Sequence, residues 1–271
     1  MSRRSIAGLV RCVSTALALT TIGAQAPVRE LSAEVSLETT GFSAIVLVYD
    51  VSEDSYAAVN ADRVDRRLMP ASTFKILNSL VALETGVVAD PQTVIEWDGI
   101  TRERTELNRD LDLQTAFRLS AVPHYQELAR RIGAGRMQQF IDAVGYGNRD
   151  ISGGIDRFWL SGGLRISLRE QVEFLTRLYR GALPFSEETM GMVREMMVSE
   201  KTAGHTIRSK TGWAVLPGAD TVGWWVGWVD REATVHVFAT ALEATAPDGT
   251  FGAAREAVTR SVLEQLGVLG R

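Results

Sequence analysis

The sequence predicts an α/β fold: one antiparallel sheet built from N- and C-terminal strands, flanking helices, and an inserted, mostly helical domain. Three observations lead there. β-rich apolar runs lie at Ser43–Tyr49 and Ser55–Asn60. Runs of the same kind return at Gly223–Val229 and Thr234–Ala239. Between them, apolar residues recur at helical spacing. Strands at both ends and helices between them imply a discontinuous domain. Residues 27–61 and 201–271 are expected to form the sheet domain, and 62–200 the helical one. A cleft between two such regions is a usual place for a ligand.

The 271 residues are 45% apolar and 23% charged, enough for one or two globular domains with a sizeable core. Net charge is -4 and there is no long basic run, so nothing points to nucleic acid. The three histidines, His124, His205 and His236, are far apart, and no metal is expected. The first 26 residues differ from the rest. Arg3, Arg4 and Arg11 precede an apolar stretch from Val13 to Thr20, and Ala24-Gln25-Ala26 places small residues where a signal peptidase reads. This pattern is a secretory signal peptide cut after Ala26, too short in its apolar part for a membrane anchor. The periplasm is the expected compartment. The single cysteine, Cys12, falls inside the leader, so the mature chain has no disulfide and no thiol nucleophile.

In chain order, Pro27 to Thr40 is polar and expected to cover a surface. Ser43–Tyr49 and Ser55–Asn60 form a hairpin across a turn at Asp50–Asp54. Met69-Pro70 leads into Ser72, and the apolar run after Lys75 is a buried helix closed by Gly86. Leu111–Leu119 carries helical spacing. Pro123 opens a helix to Ile132, since proline suits a first helical position. Further helices are expected over Arg136–Val144, Ser167–Tyr179 and Ser186–Val198, the last capped by Ser186 with Thr189. Strands follow through Lys210-Thr211-Gly212, then Gly223–Val229 and Thr234–Ala239 around an Asp230-Arg231-Glu232 turn. A last helix runs from about Thr250 to Leu266, stopped by Gly267.

The chemistry centres on Ser72 and Lys75. Residues three apart share a helix face, so both point the same way. A serine hydroxyl is a strong nucleophile only when something removes its proton. A lysine does so once burial makes its neutral form accessible. Ser-x-x-Lys alone occurs by chance in many long chains, and Ser72 as a plain helix cap is the bland reading. The downstream Lys210-Thr211-Gly212 raises the functional one, because the pair is a signature of penicillin-binding proteins and serine β-lactamases.

With these motifs in order, the chain resembles a class D, oxacillinase-type serine β-lactamase over essentially its whole mature length. Ser72-Thr73-Phe74-Lys75 matches the nucleophile motif, Ser120-Ala121-Val122 the second motif, and Tyr146-Gly147-Asn148 the third. Trp159 matches a tryptophan that lies against the modified lysine, and Arg255 falls where the family holds a substrate carboxylate. The resemblance implies that Ser72 forms an acyl-enzyme and that Lys75, carboxylated by carbon dioxide or bicarbonate, is the general base. No other cofactor is expected. Ser120 would relay a proton to the lactam nitrogen, supported by Lys210. Val122 would keep the lysine pocket dry, while Trp159 offers its N–H to the carbamate. Thr211 and Arg255 would bind the carboxylate, and Gly212 would keep the strand edge close to the ligand. The backbone N–H groups of Ser72 and Trp213 would form the oxyanion hole.

The implied partner is a small-molecule β-lactam: oxacillin-type penicillins, with cephalosporins as a further class. The sequence leaves open the choice among isoxazolyl penicillins, third-generation cephalosporins and carbapenems, and equally monomer or homodimer. Two alternatives share the same acylation: a D,D-transpeptidase or carboxypeptidase, and a β-lactam sensor domain that stays acylated. Glu170 has the chemistry of a general base but is read as a surface residue, and Trp224, Trp225 and Trp228 as sheet packing.

Overall fold

The structure is a computed structural model that describes residues 28–31, 42–215, 218–232 and 234–270. The leader at residues 1–26, with Cys12, lies outside the described residues. A seven-stranded sheet has the order β1-β3-β2-β9-β8-β7-β6. Its strands are β1 (Val28–Glu30), β2 (Ser43–Asp50), β3 (Ser55–Val59), β6 (Val198–Lys201), β7 (Thr206–Ala214), β8 (Thr221–Arg231) and β9 (Thr234–Ala244). Strands from the two ends of the chain meet at the β2–β9 pair, from Ser43 opposite Glu243 to Asp50 opposite His236.

The sheet is not wholly antiparallel: β1 runs parallel to β3. Residues 28–30 carry no apolar alternation, so no strand is expected there. The edge is held instead by backbone bonds, Leu31 N–H to Ala58 O at 2.7 Å among them. Glu30 adds carboxylate acceptors for the N–H groups of Asn60 and Ala61.

Two-residue alternation sends β2 side chains to both faces, and both faces are buried. Ile45, Leu47 and Tyr49 join the core under the helical region, while Ala44, Val46 and Val48 join the core under the last helix. The three sheet tryptophans divide the same way: Trp224 and Trp228 on the first face, Trp225 on the second. β8 and β9 run further than their apolar runs suggest, because Asp230 and Arg231 still pair with Val235 and Thr234. The chain reverses at Glu232, φ 51°.

The helices are α1 (Lys75–Glu84), α2 (Leu113–Arg118), α3 (Val122–Ile132), α4 (Ala134–Val144), α5 (Leu168–Tyr179), α6 (Glu187–Met196) and α7 (Phe251–Gln265). Helix α2 is shorter than its periodicity predicts. Leu111–Asp112 instead forms strand β5 against β4 (Val94–Ile95), and the Asp112 side chain caps the helix by accepting from Thr115 N–H at 2.6 Å. Ser167 and Glu170 form a reciprocal capping box on α5, and Arg67 pairs with Glu170. Glu170 is thus a half-buried helix-start residue.

Candidate active site

Ser72 lies in a 3-10 turn, Ala71–Phe74, that precedes α1. The helix proper therefore begins at Lys75, where the apolar run predicts it, and Ser72 precedes it. Several independent contacts hold this turn. Ala71 N–H donates to Trp159 O at 3.1 Å, and Trp224 Nε1 donates to Met69 O at 2.8 Å. Gln171 Nε2 donates to Thr73 Oγ1 at 2.8 Å. Below it, Phe74 stacks on Trp159 at 5.3 Å and meets Phe158 and Tyr146 edge-on at 5.0 and 5.7 Å. Aromatic pairs of this kind contribute about 0.5–1.5 kcal/mol each beyond their burial. Ala71 has φ 49° and Ser120 φ 55°, left-handed values that cost a non-glycine residue energy and need surrounding structure to hold them.

Lys75 is wholly buried, and its Nζ donates to Ser72 Oγ at 2.8 Å. Burial first, then the charges of Lys210 and Arg104, hold its ammonium well below the ordinary lysine value. Its neutral amine form is therefore favoured beside the serine hydroxyl. The Nζ also lies 5.2 Å from the Tyr125 ring centroid.

Strand β7 forms the opposite wall. β6 pairs only with its first residues, Thr206–Arg208, so the outer edge of β7 beyond Ser209 is open. Ser209 N–H still reaches over that edge to Met197 O at 2.8 Å. A strand's amides alternate with period two, so the Trp213 N–H points over the same edge, into the cleft. The Ser72 amide lies ahead of the first bond of its turn, Thr73 N–H to Pro70 O, and has no acceptor in that turn.

Lys210 is 5% exposed, and its Nζ donates to Ser120 Oγ and to Thr211 O, both at 3.0 Å. Burial, then the charges of Arg255 and Arg104, lower its pKa to about 7. Ser120 follows the last turn of α2, with its N–H on Phe117 O at 3.0 Å and its hydroxyl turned to Lys210. Arg255 on α7 donates through Nη1 to Gly212 O at 2.7 Å and packs 5.7 Å from the Trp213 ring. Burial lowers its pKa, but a guanidinium keeps its charge.

These walls enclose an open cleft of about 370 Å³. Ser72, Ser120 and Val122 line it on one side, and Thr211, Gly212, Trp213 and Arg255 on the other. Lys75 and Trp159 are not on its surface; both are fully buried. The Trp159 Nε1 is a buried donor with no acceptor in the structure.

Gly212 lines the cleft and has a packing role beside it. A Cβ there would lie 3.1 Å from Pro70 O and 3.2 Å from Thr73 Cγ2, so the missing side chain lets β7 pack against the nucleophile turn. Tyr146-Gly147-Asn148 stays away from the cleft. Asn148 clamps a loop through Gly163 O and Arg165 N–H, both at 2.9 Å, and a Cβ on Gly147 would strike Arg165 O at 2.1 Å.

Motif reading missed Arg104, Arg118 and Leu119, which also line the cleft. Arg104 belongs to an irregular loop and Arg118 to the end of a short helix. Neither has a spacing that marks it.

The model of the penicillin binding protein transpeptidase domain matches residues 39–264. Beta-lactamase OXA-48 of Klebsiella pneumoniae is 43% identical over 221 residues, covering 82% of this chain and 82% of that protein. Beta-lactamase OXA-10 of Pseudomonas aeruginosa is 40% identical over 228 residues, 81% of this chain and 82% of that one. Among solved structures, a class D beta-lactamase from Nostoc superposes with a TM-score of 0.84 at 42% identity, covering 88% of this chain and 99% of its own. One from Sebaldella termitidis gives 0.86 at 32% identity, covering 91% and 100%. With the serine–lysine pair, the second serine and the open strand edge combined on this fold, the chain belongs to the class D β-lactamase family.

Proposed function

We propose that the protein hydrolyses the β-lactam amide bond through a Ser72 acyl-enzyme and thereby confers resistance to penicillins of the oxacillin type, with cephalosporins as a further substrate class. The observation that carries this reading is the fully buried Lys75 amine 2.8 Å from Ser72 Oγ, where burial disfavours its charged form. In its carboxylated form Lys75 would take the hydroxyl proton as Ser72 Oγ bonds to the lactam carbonyl carbon. The carbonyl oxygen gains negative charge between the N–H groups of Ser72 and Trp213, donors that need no reorganisation. The carbon–nitrogen bond then breaks, and Ser120, hydrogen-bonded to Lys210, passes a proton to the leaving nitrogen. Arg255 and Thr211 hold the ring carboxylate, and Lys210 adds charge beside them.

Release of the acyl group needs a base for water, and no carboxylate lines the cleft. A carbamate on Lys75 suits the residues present: burial favours the neutral amine, its pocket is closed to solvent, and Trp159 Nε1 is a buried donor lacking an acceptor among the described residues. Formed with carbon dioxide, the carbamate supplies an anionic general base, and Trp159 would hold it. The leader-like N-terminus supports export to the periplasm, and among the described residues no helix is long and apolar enough to cross a membrane.

Intact-protein mass spectrometry after mixing with a penicillin tests the reading. One transient adduct is expected on the parent and none on Ser72→Ala. A stable adduct without turnover would favour a sensor, and turnover of cell-wall peptide alone a carboxypeptidase; either overturns hydrolysis. An adduct on another serine would remove Ser72 from its role.

A further inference from the structure

The cleft has two cationic poles, on opposite walls. The first is Arg255, fixed to Gly212 O on the sheet side. The second is Arg104 with Arg118, on the helical side. Arg104 Nη2 donates to Leu119 O at 2.9 Å, and its Nε pairs with Glu106 at 2.8 Å. These two contacts set the guanidinium beside the residue that precedes Ser120, and among the described residues no acceptor takes up Nη1. Arg118 has no ion-pair or hydrogen-bond partner among the described residues, and Glu106 is not part of the cleft lining. The field of Arg104 reaches the reacting centre, since its charge helps lower the pKa of both Lys75 and Lys210. A penicillin nucleus carries one carboxylate, on the ring fused to the lactam, and in the reading above Arg255 with Thr211 and Lys210 would hold it. A second cationic pole across the same cleft, tied to Glu106 at one edge of Arg104 only, has no partner in that substrate.

We propose that Arg104, assisted by Arg118, is a specificity-determining residue that binds a second carboxylate, carried on the side chain of the β-lactam, so that the enzyme favours dicarboxylate substrates. This rests on the β-lactamase reading above. A planar guanidinium with one edge anchored and Nη1 open offers directed donors to an anion. Because Arg104 is half exposed, with 52% of its side chain accessible, the gain is at the lower end for a charge-assisted contact and falls with salt.

Benzylpenicillin and α-carboxybenzylpenicillin share a nucleus and differ by one side-chain carboxylate. The quantity to measure is the ratio of their kcat/KM values, in which any common effect of Arg104 on the two lysines cancels. Arg104→Gln is expected to lower the dicarboxylate-to-monocarboxylate ratio about tenfold, mainly through KM. Arg104→Lys should recover part of it, and Arg118→Gln should give a smaller loss. In the parent the ratio should fall with added salt, and in Arg104→Gln it should fall much less, because only Arg118 remains. A ratio unmoved by Arg104→Gln, with both substrates slowed equally, would overturn the second pole and leave hydrolysis standing. Failure of the parent to turn over benzylpenicillin would overturn the β-lactamase reading itself.

Discussion

Replacing Lys75 by methionine should abolish turnover and stabilise the fold. Lys75 is wholly buried, and burial with the nearby charges of Lys210 and Arg104 disfavours its protonated form. In the unfolded chain the same lysine holds its proton up to its ordinary value of 10.5. Folding near neutral pH therefore works against that proton, and this costs stability. Methionine is unbranched, of similar length and carries no such cost. Its loss is the Lys75–Ser72 hydrogen bond, about 1 kcal/mol. The variant is expected to be the more stable of the two, and each kcal/mol gained reads as roughly 2–4 °C in Tm for a chain of this size. Between the folded and unfolded pKa values the unfolded state binds more protons, so the parent gains stability as pH rises through that window. The gap between parent and variant should therefore narrow from pH 7 to 9 and close towards 10.5. Urea unfolding in bicarbonate-free buffer measures this, since carbon dioxide bound only by the folded parent would offset part of the difference. A variant no more stable than the parent at pH 7, or a gap that does not change with pH, would refute a neutral, desolvated lysine at this position.

Arg255→Ala should lower kcat/KM for a penicillin by about ten- to a hundredfold, mostly in KM, because it removes a charged donor from the carboxylate. An ester-blocked penicillin should lose much less; equal losses would make Arg255 structural. Lys210 has a pKa of about 7, so its charge is present below that pH and lost above it. Carboxylate capture, read as 1/KM, should weaken as pH rises through 7, and Lys210→Arg should remove that limb. Gly212→Ala should cost about 1–3 kcal/mol in chemical unfolding and slow acylation, because its Cβ pushes β7 off Pro70 O, 3.1 Å away.

Local signals carried much of this molecule. The β2–β3 hairpin, the amphipathic α5 with its Ser167 cap, and α7 stopped by Gly267 are all written in periodicity and capping residues within a dozen positions of one another. Ser72 with Lys75 was legible for the same reason, since a helical turn fixes which residues three apart share a face. Boundaries failed where a non-local or side-chain contact outbid periodicity. Leu111 and Asp112 pair with Val94 and Ile95 instead of joining α2, and residues 28–30 borrow an edge from β3 by backbone bonds alone. The chain order of Ser120, Lys210 and Arg255 allowed a resemblance to be named, but their meeting depends on the sheet. Lys210 reaches Ser120 across 90 positions, and Arg255 reaches Gly212 across 43. Only that closure decides which lysine becomes neutral. Desolvation and neighbouring charge are properties of the space around a group, and Arg104 enters that space from a loop with no pattern of its own. The second cationic pole, the orphaned Trp159 N–H and the close packing at Gly212 have the same origin. Each is set by what lies within a few ångströms, which distant parts of the chain supply.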